Sequence, residues 1–262
     1  MGNIIERIQF YPRHYGYLFR KALHSKVRMC RNFYHQNILG KHKLSDSELY
    51  QVPIIINNFN RLDCLKRVIA RYVSSGYTNI IIIDNASTYP PLLSYYETCP
   101  YTLHRLEKNM EFPALWVSGL YEQLYQYNYY VYTDPDILPD ADCPDDFVHH
   151  FYRLLQKYPN LDKAGFSLRI DNLPDHYHLK SAVLKVESPY WEDKMGSDYY
   201  RAPIDTTFAL YRPGVRGTVE ITSGRSVAPY TALHLPWYSD SAKPDLETIY
   251  YRDHALYSKN WT

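Results

Sequence analysis

The residues best placed for chemistry in this 262-residue chain are Asp134-Pro135-Asp136. Two carboxylates one residue apart, at the end of an apolar run, can share a divalent cation and a diphosphate between them. Such hard oxygen ligands suit Mg2+ or Mn2+, which neutralises phosphate charge. The same tripeptide is also an ordinary surface turn, since Asp and Pro both favour turns; its neighbours in the sequence decide between the readings. Two further polar pairs, Asn57-Asn58 and Asp84-Asn85, end apolar runs in the same way.

The apolar runs are the elements that must position these groups. Residues 52–56 and 80–83 are short, β-branched and bounded by turn residues, and so read as buried strands. Residues 61–73 carry Leu62, Leu65, Val68, Ile69 and Tyr72 at helical spacing, and Tyr89-Pro90-Pro91 opens a second helix. A strand over 101–106, a helix over 114–125 and a strand over 129–133 complete the run. Strand alternating with helix is the signature of a mostly parallel α/β sheet, and ligands of such sheets sit beyond the carboxyl ends of the strands. All three polar pairs fall at those ends, so the topology predicts that they converge on one crevice. No GxxxxGK[ST] is present and no GxGxxG follows a strand. A phosphate-bearing ligand is therefore expected to rest on metal and side chains rather than on a glycine-rich loop. That argues against kinases, P-loop ATPases and nicotinamide dehydrogenases.

Charge divides the chain. Residues 1–43 hold nine Lys and Arg against the single acid Glu6, a net of +8, while the remainder holds 20 basic and 27 acidic residues. We therefore expect a basic N-terminal extension over 1–48 and one catalytic-size domain over 49–262. Within the extension, Phe19, Leu23, Val27, Cys30 and Tyr34 form one stripe, so 16–36 reads as a basic amphipathic helix. Such a helix either lies on an anionic membrane or docks on its own domain. The acidic body disfavours nucleic acid as a partner. Cys30, Cys64, Cys99 and Cys143 lack metal-pair spacing and fit a reducing compartment. With no apolar leader visible, the expected location is cytoplasmic, peripherally on the inner membrane face if 16–36 binds lipid. Tyrosine, 29 of 262 residues, suits both sugar surfaces and cores.

Several of these segments resemble a known family. Residues 52–61 and 80–88 are similar to the first two strand-and-turn motifs of family-2-like glycosyltransferases of GT-A fold. Asn109, Asp134-Pro135-Asp136, the segment Ala202–Tyr211 and the segment Ala232–Trp237 resemble later motifs in the same order, most closely those of bacterial transferases that build capsule or lipopolysaccharide glycans. The resemblance implies a GT-A-like fold and a nucleoside-diphosphate-sugar donor. It places Asn57, Asn58, Arg61, Asp84, Asn109 and Asp134 on the donor, with Asp84 at a uracil-type base, and Asp136 and His234 on the metal. By itself His234 reads as a packing histidine. The chain departs from the family after Asn109, where Met110-Glu111-Phe112-Pro113 replaces the expected glycine. An inverting transfer needs a carboxylate within reach of the acceptor hydroxyl. Asp205, opening a strand-like segment over 206–211, is the first candidate, with Glu192 and Asp193 as alternatives. Tyr190, Trp191 and Trp237 are candidates for stacking on sugar faces. The expected function is metal-dependent sugar transfer, from a UDP-sugar, to a glycan or lipid-linked acceptor. The rivals are a glycan-binding protein on an inactive transferase fold and a nucleotidyltransferase.

Overall fold

The computed structural model describes residues 43–217 and 222–255, together with Lys26, Val27, Cys30, Phe33, Tyr34 and Ile38. The expected helix over 16–36 lies for the most part outside the described residues. The body opens at Ser45, whose side chain caps helix Asp46–Leu49 in a reciprocal box with Glu48. This helix straddles the expected boundary after residue 48. Leu49 is buried, and the Leu44 amide donates to the Tyr152 hydroxyl at 3.0 Å.

Four parallel strands follow. β1 (Ile54–Asn58) and β2 (Ile80–Asp84) are buried at every residue, β3 (Thr102–Arg105) is the half-exposed edge, and β4 (Tyr130–Thr133) is again fully buried. Their continuous apolar character follows from cover on both faces. Ile54, Ile56, Ile80, Ile82 and Val131 face one core, and Ile55, Ile81, Ile83, Tyr130 and Tyr132 face the other. Helix Asp63–Ser74 lays Leu65, Val68, Ile69 and Tyr72 onto the first face. It stops at Gly76, whose φ of +93° only glycine adopts at low cost. The expected helix over 114–125 is broken. Ala114–Val117 is α-helical, Gly119 turns left-handed at φ +83°, and Tyr121–Tyr125 is a π-helical turn.

The second half is built from shorter pieces: β5 (Ile137–Pro139), β6 (Lys163–Gly165), β7 (Ser167–Leu168), β8 (Lys194–Met195), β9 (Tyr199–Arg201), β10 (Ala209–Tyr211), β11 (Ser223–Ser226) and β12 (Thr231–His234). The large sheet runs β3-β2-β1-β4-β10-β6-β11-β9-β8, and only β10 and β9 oppose the rest. A small sheet, β5-β12-β7, stands beside it. The fold is thus a mixed α/β one with a mostly parallel central sheet flanked by helices, as the element order implies. The expected strand over 206–211 shrinks to Ala209–Tyr211, because Thr206 bonds to Asp134 instead of to a neighbouring strand. β6 and β10 approach so closely that a Cβ on Gly165 would stand 2.3 Å from the Phe208 carbonyl oxygen. Much of the tyrosine excess fills the two cores: Tyr72, Tyr77, Tyr130, Tyr132, Tyr199 and Tyr211 are all essentially inaccessible. The hydroxyls of Tyr72, Tyr77, Tyr130 and Tyr132 donate to backbone carbonyls at 2.7–2.9 Å.

Candidate functional site

Parallel register sets the carboxyl ends of β1, β2 and β4 side by side. Asn58 lies opposite Asp84, and Ile56 opposite Thr133. The Asn57 and Asn85 side-chain amides both donate to the Glu111 carbonyl, at 3.0 and 2.9 Å. Asn85 also accepts the Met110 amide, and Asn109 accepts the Glu111 amide, each at 2.7 Å. The loop that lacks the expected glycine is therefore fastened to β1 and β2, with Glu111 taking φ +57°. Asn60 and Ala86, at φ +53° and +62°, are the other non-glycine residues with positive φ among the described residues. All three flank this mouth, and strained backbone of this kind gathers at functional sites. Asn60 offsets its strain with bonds: its Oδ1 accepts the Thr88 and Tyr89 amides at 2.7 and 2.9 Å.

Asp84 lies at the mouth's floor, 1% exposed. Tyr96 donates to it at 3.4 Å, the Ser87 amide at 3.3 Å, and Arg105 stands 3.6 Å away. Burial pushes its carboxyl above the usual range, opposed by Ser87, Arg105 and Tyr96. Asn58 is tied into the same cluster through its 2.8 Å bond to the Tyr96 hydroxyl.

Asp134 and Asp205 meet through Thr206. The Asp134 amide donates to the Thr206 carbonyl at 2.9 Å, and the Thr206 hydroxyl donates to the Asp134 carboxylate. Burial, with Asp136 and Asp205 nearby, holds the Asp134 carboxyl well above its ordinary value. Asp205 itself is exposed at the mouth, since β10 runs antiparallel to β4 and begins where β4 ends. Beneath it Lys163, fully buried, donates to the Asp205 carbonyl at 3.3 Å and to the Tyr211 hydroxyl at 2.9 Å. Burial brings this lysine down to about 7, with Asp205 opposing.

The small sheet delivers His234. β12 pairs antiparallel with β5, setting His234 opposite Ile137 and leaving Nε2 3.7 Å from Asp136 Oδ2. Asp136 Oδ1 and His234 Nδ1 are buried without hydrogen-bond partners. Burial lowers the His234 pKa, favouring the neutral imidazole that ligates metals. Among the described residues no three His, Cys, Asp or Glu side chains gather as a metal cage. A carboxylate and an imidazole with one unsatisfied atom each nevertheless fit an Mg2+ or Mn2+ ion whose remaining ligands are water and phosphate oxygens.

Arg61 sits beside this pair's wall, 3% exposed, stacked 3.9 Å over the Tyr251 ring and donating to Thr248 at 3.4 Å. Glu192 and Asp193 are placed elsewhere. They precede β8 at the far edge of the sheet, and Asp193 pairs with Arg201 at 3.3 Å with both side chains over half exposed. Trp191 lines a cavity of about 380 Å3 with Asp140, Arg169 and Thr231.

No protein-family model matches this sequence, and no curated protein matches it. Among solved structures, the chain is similar to a mannosyltransferase of Pyrobaculum calidifontis in complex with GDP-Man and Mn2+, at 13% identity and TM-score 0.47, covering 87% of this chain and 67% of that one. It is also similar to TarS of S. aureus (10% identity, TM-score 0.39, 62% of this chain and 47% of that one). A third is glucosyl-3-phosphoglycerate synthase of Mycobacterium tuberculosis in complex with phosphoglyceric acid (15% identity, TM-score 0.40, 64% and 61%).

Sequence reasoning missed several residues of the site. Asn60 follows β1, whose end Asn57-Asn58 marks, so a signal was there; Tyr96, the last residue of helix Pro90–Tyr96, and Arg105, the last residue of edge strand β3, carry none. Thr206, Lys163 and Glu247 act across more than 40 residues of chain, and no local pattern announces them.

Proposed function

We propose that the chain is a metal-dependent glycosyltransferase that moves a sugar from a nucleoside-diphosphate sugar, a UDP-sugar, to a glycan or lipid-linked acceptor. The observation that carries this reading is the pairing of Asp136 with His234 beside Asp134, at the carboxyl mouth of a parallel sheet. Asp136 and His234 would hold Mn2+ or Mg2+, which supplies positive charge against the departing diphosphate. Asp84 receives the base, and Asn57, Asn58 and Asn109 keep the mouth in shape around the nucleotide. Arg61 offers charge to the phosphates, and Asp134 meets the ribose or sugar.

In the transfer, the acceptor oxygen forms a bond to the anomeric carbon as the bond to the diphosphate breaks, with inversion. The proton leaves the acceptor hydroxyl for the exposed carboxylate of Asp205. Lys163 holds the Asp205 backbone in place from below. The domain organisation is a basic extension ahead of a catalytic body that opens at Ser45 rather than at residue 49. Were the arm over 16–36 to lie on an anionic membrane rather than dock on its own domain, it would keep the enzyme at the cytoplasmic face near a lipid-linked acceptor in capsule or lipopolysaccharide synthesis. No helix among the described residues is long and apolar enough to cross a membrane.

The test is a screen of nucleotide sugars for hydrolysis and transfer with Mn2+, Mg2+ or chelator, alongside thermal shift with UDP. Metal-dependent stabilisation by UDP and sugar release from a UDP-sugar are expected. Equal stabilisation by UDP in chelator sinks the metal assignment.

A further inference from the structure

Helix Leu246–His254 packs the wrong way round. It buries Glu247 and Thr248, at 5% and 9% exposure, and leaves Leu246 and Ile249 exposed at 78% and 43%. A surface helix ordinarily buries its apolar stripe, so something polar beneath must hold this one. That partner is the start of helix Asp63–Ser74, whose first amides have no side-chain cap of their own. Glu247 Oε2 accepts the Leu62 and Asp63 amides at 2.6 and 2.8 Å, from 185 and 184 residues away.

Donors at this spot exceed what one carboxylate uses. Arg61 is 3% exposed and spends Nη1 on Thr248, the residue next to Glu247, at 3.4 Å. Its Nε and Nη2 are buried with no hydrogen-bond partner. Two backbone amides at the positive end of a 12-residue helix, beside a guanidinium with two unspent donors, suit an oxyanion with more oxygens and more charge than a carboxylate. Phosphate has both. The helix is also pinned over the loops after β1 and β2. Tyr250 donates to or accepts from Thr88 at 3.0 Å and packs on Tyr89, and Tyr251 meets Phe59 edge-on.

We propose that the Leu62 and Asp63 amides with Arg61 form a phosphate-binding position, that Glu247 is its exchangeable occupant, and that a phosphate group entering there releases helix 246–254 from the mouth. Only the source of that phosphate, the donor's diphosphate, rests on the glycosyltransferase reading. Inorganic pyrophosphate would fill the same position.

The experiment titrates pyrophosphate, in metal-free buffer, against the full chain and its Glu247→Gln and Arg61→Gln variants, by calorimetry and by amide hydrogen exchange. In the wild type, saturating pyrophosphate should speed exchange across 246–254. Glu247→Gln, which keeps the shape and removes the charge, should bind about tenfold tighter, a coupling of ordinary size. Arg61→Gln should lose binding. Unchanged or slower exchange at 246–254 under saturating pyrophosphate overturns the proposal, as does a Glu247→Gln affinity equal to that of wild type or undetectable. The latter results would leave Glu247 a structural helix cap. Release by UDP but not by uridine assigns the position to a nucleotide diphosphate. Release by pyrophosphate alone upholds the phosphate position while removing the donor as its source.

Discussion

The two ends of the central sheet solve the polarity problem in opposite ways. Around β1, β2 and β4 the strand bodies are apolar and the polar residues wait at the carboxyl ends. Around β6, β10 and β11 the charge is inside. Lys163 is buried under Asp205, Arg225 forms a 2.6 Å pair with Glu187 with both side chains at most 10% exposed, and Arg212 is buried against backbone carbonyls. Arg212 donates from Nε to Leu161 at 2.6 Å and from Nη2 to Leu155 and Tyr158, the end of helix Phe147–Lys157 and the turn after it. Strands of two to four residues offer few ladder hydrogen bonds, and cationic side chains brace the segments between them. The first half keeps polar groups available for ligands; the second half spends them on itself.

The sharpest way to break that contrast is to cut a ligand-facing group. Asp136→Ala should lower transfer by about 10^3-fold or more, the loss of a metal's charge stabilisation. Its melting temperature without ligand should stay near that of wild type, because Asp136 Oδ1 has no protein partner to lose. A full set of turnover rates in that variant would remove Asp136 from the chemistry. Asp205→Asn should keep UDP binding and lose about 10^2 to 10^4 in kcat, the usual worth of a general base.

Substitutions on the braced side should show in stability instead. Arg225→Met leaves Glu187 buried and unpaired and should cost about 3–5 kcal/mol in denaturant unfolding. Adding Glu187→Leu should recover most of that loss. A small effect in the single variant would mean the pair is solvated. Lys163 gives a pH-dependent version. Its folded pKa, about 7, lies below the unfolded value of about 10.4, so the unfolded state binds the extra proton between them. The lysine's cost is full below pH 7 and fades as pH rises toward 10. Lys163→Met should therefore be more stable than wild type at pH 6, and the advantage should narrow steadily to pH 10. The smallest effects are expected at the far edge. Asp193→Asn and Glu192→Gln should change stability by under about 1 kcal/mol, as exposed ion pairs do, and should leave kcat intact. Lost turnover in either would move the base to that pair.

The same division explains what could be read from the amino acids. Residues 52–58 and 80–84 announce themselves because a buried parallel strand needs an unbroken apolar run and a polar stop. Both strands and their terminal Asn and Asp were legible to within two residues. His234 was legible only through a motif, because its partner Asp136 lies in the turn just before β5, and no periodicity reveals that β5 pairs with β12 in a small sheet. The strands β6 to β11 have two to four residues each, too short for alternation to register. The helix expected across 114–125 failed at Gly119, where the apolar spacing continues but the backbone does not. Glu247 was invisible because its carboxylate works in a helix start 184 residues earlier.

The pairing of Asp136 with His234 has a consequence during synthesis. The two residues are 98 positions apart in the chain. At roughly 5–20 residues per second, the ribosome makes Asp136 about 5 to 20 s before His234 exists. Through that interval the nascent chain carries one half of the proposed cation site, and β5 has no β12 to pair with. A nascent protein stalled between the two codons should hold Mn2+ no better than an isolated aspartate does. The affinity should appear only once β12 has emerged and docked, which makes metal uptake a clock for completion of the small sheet.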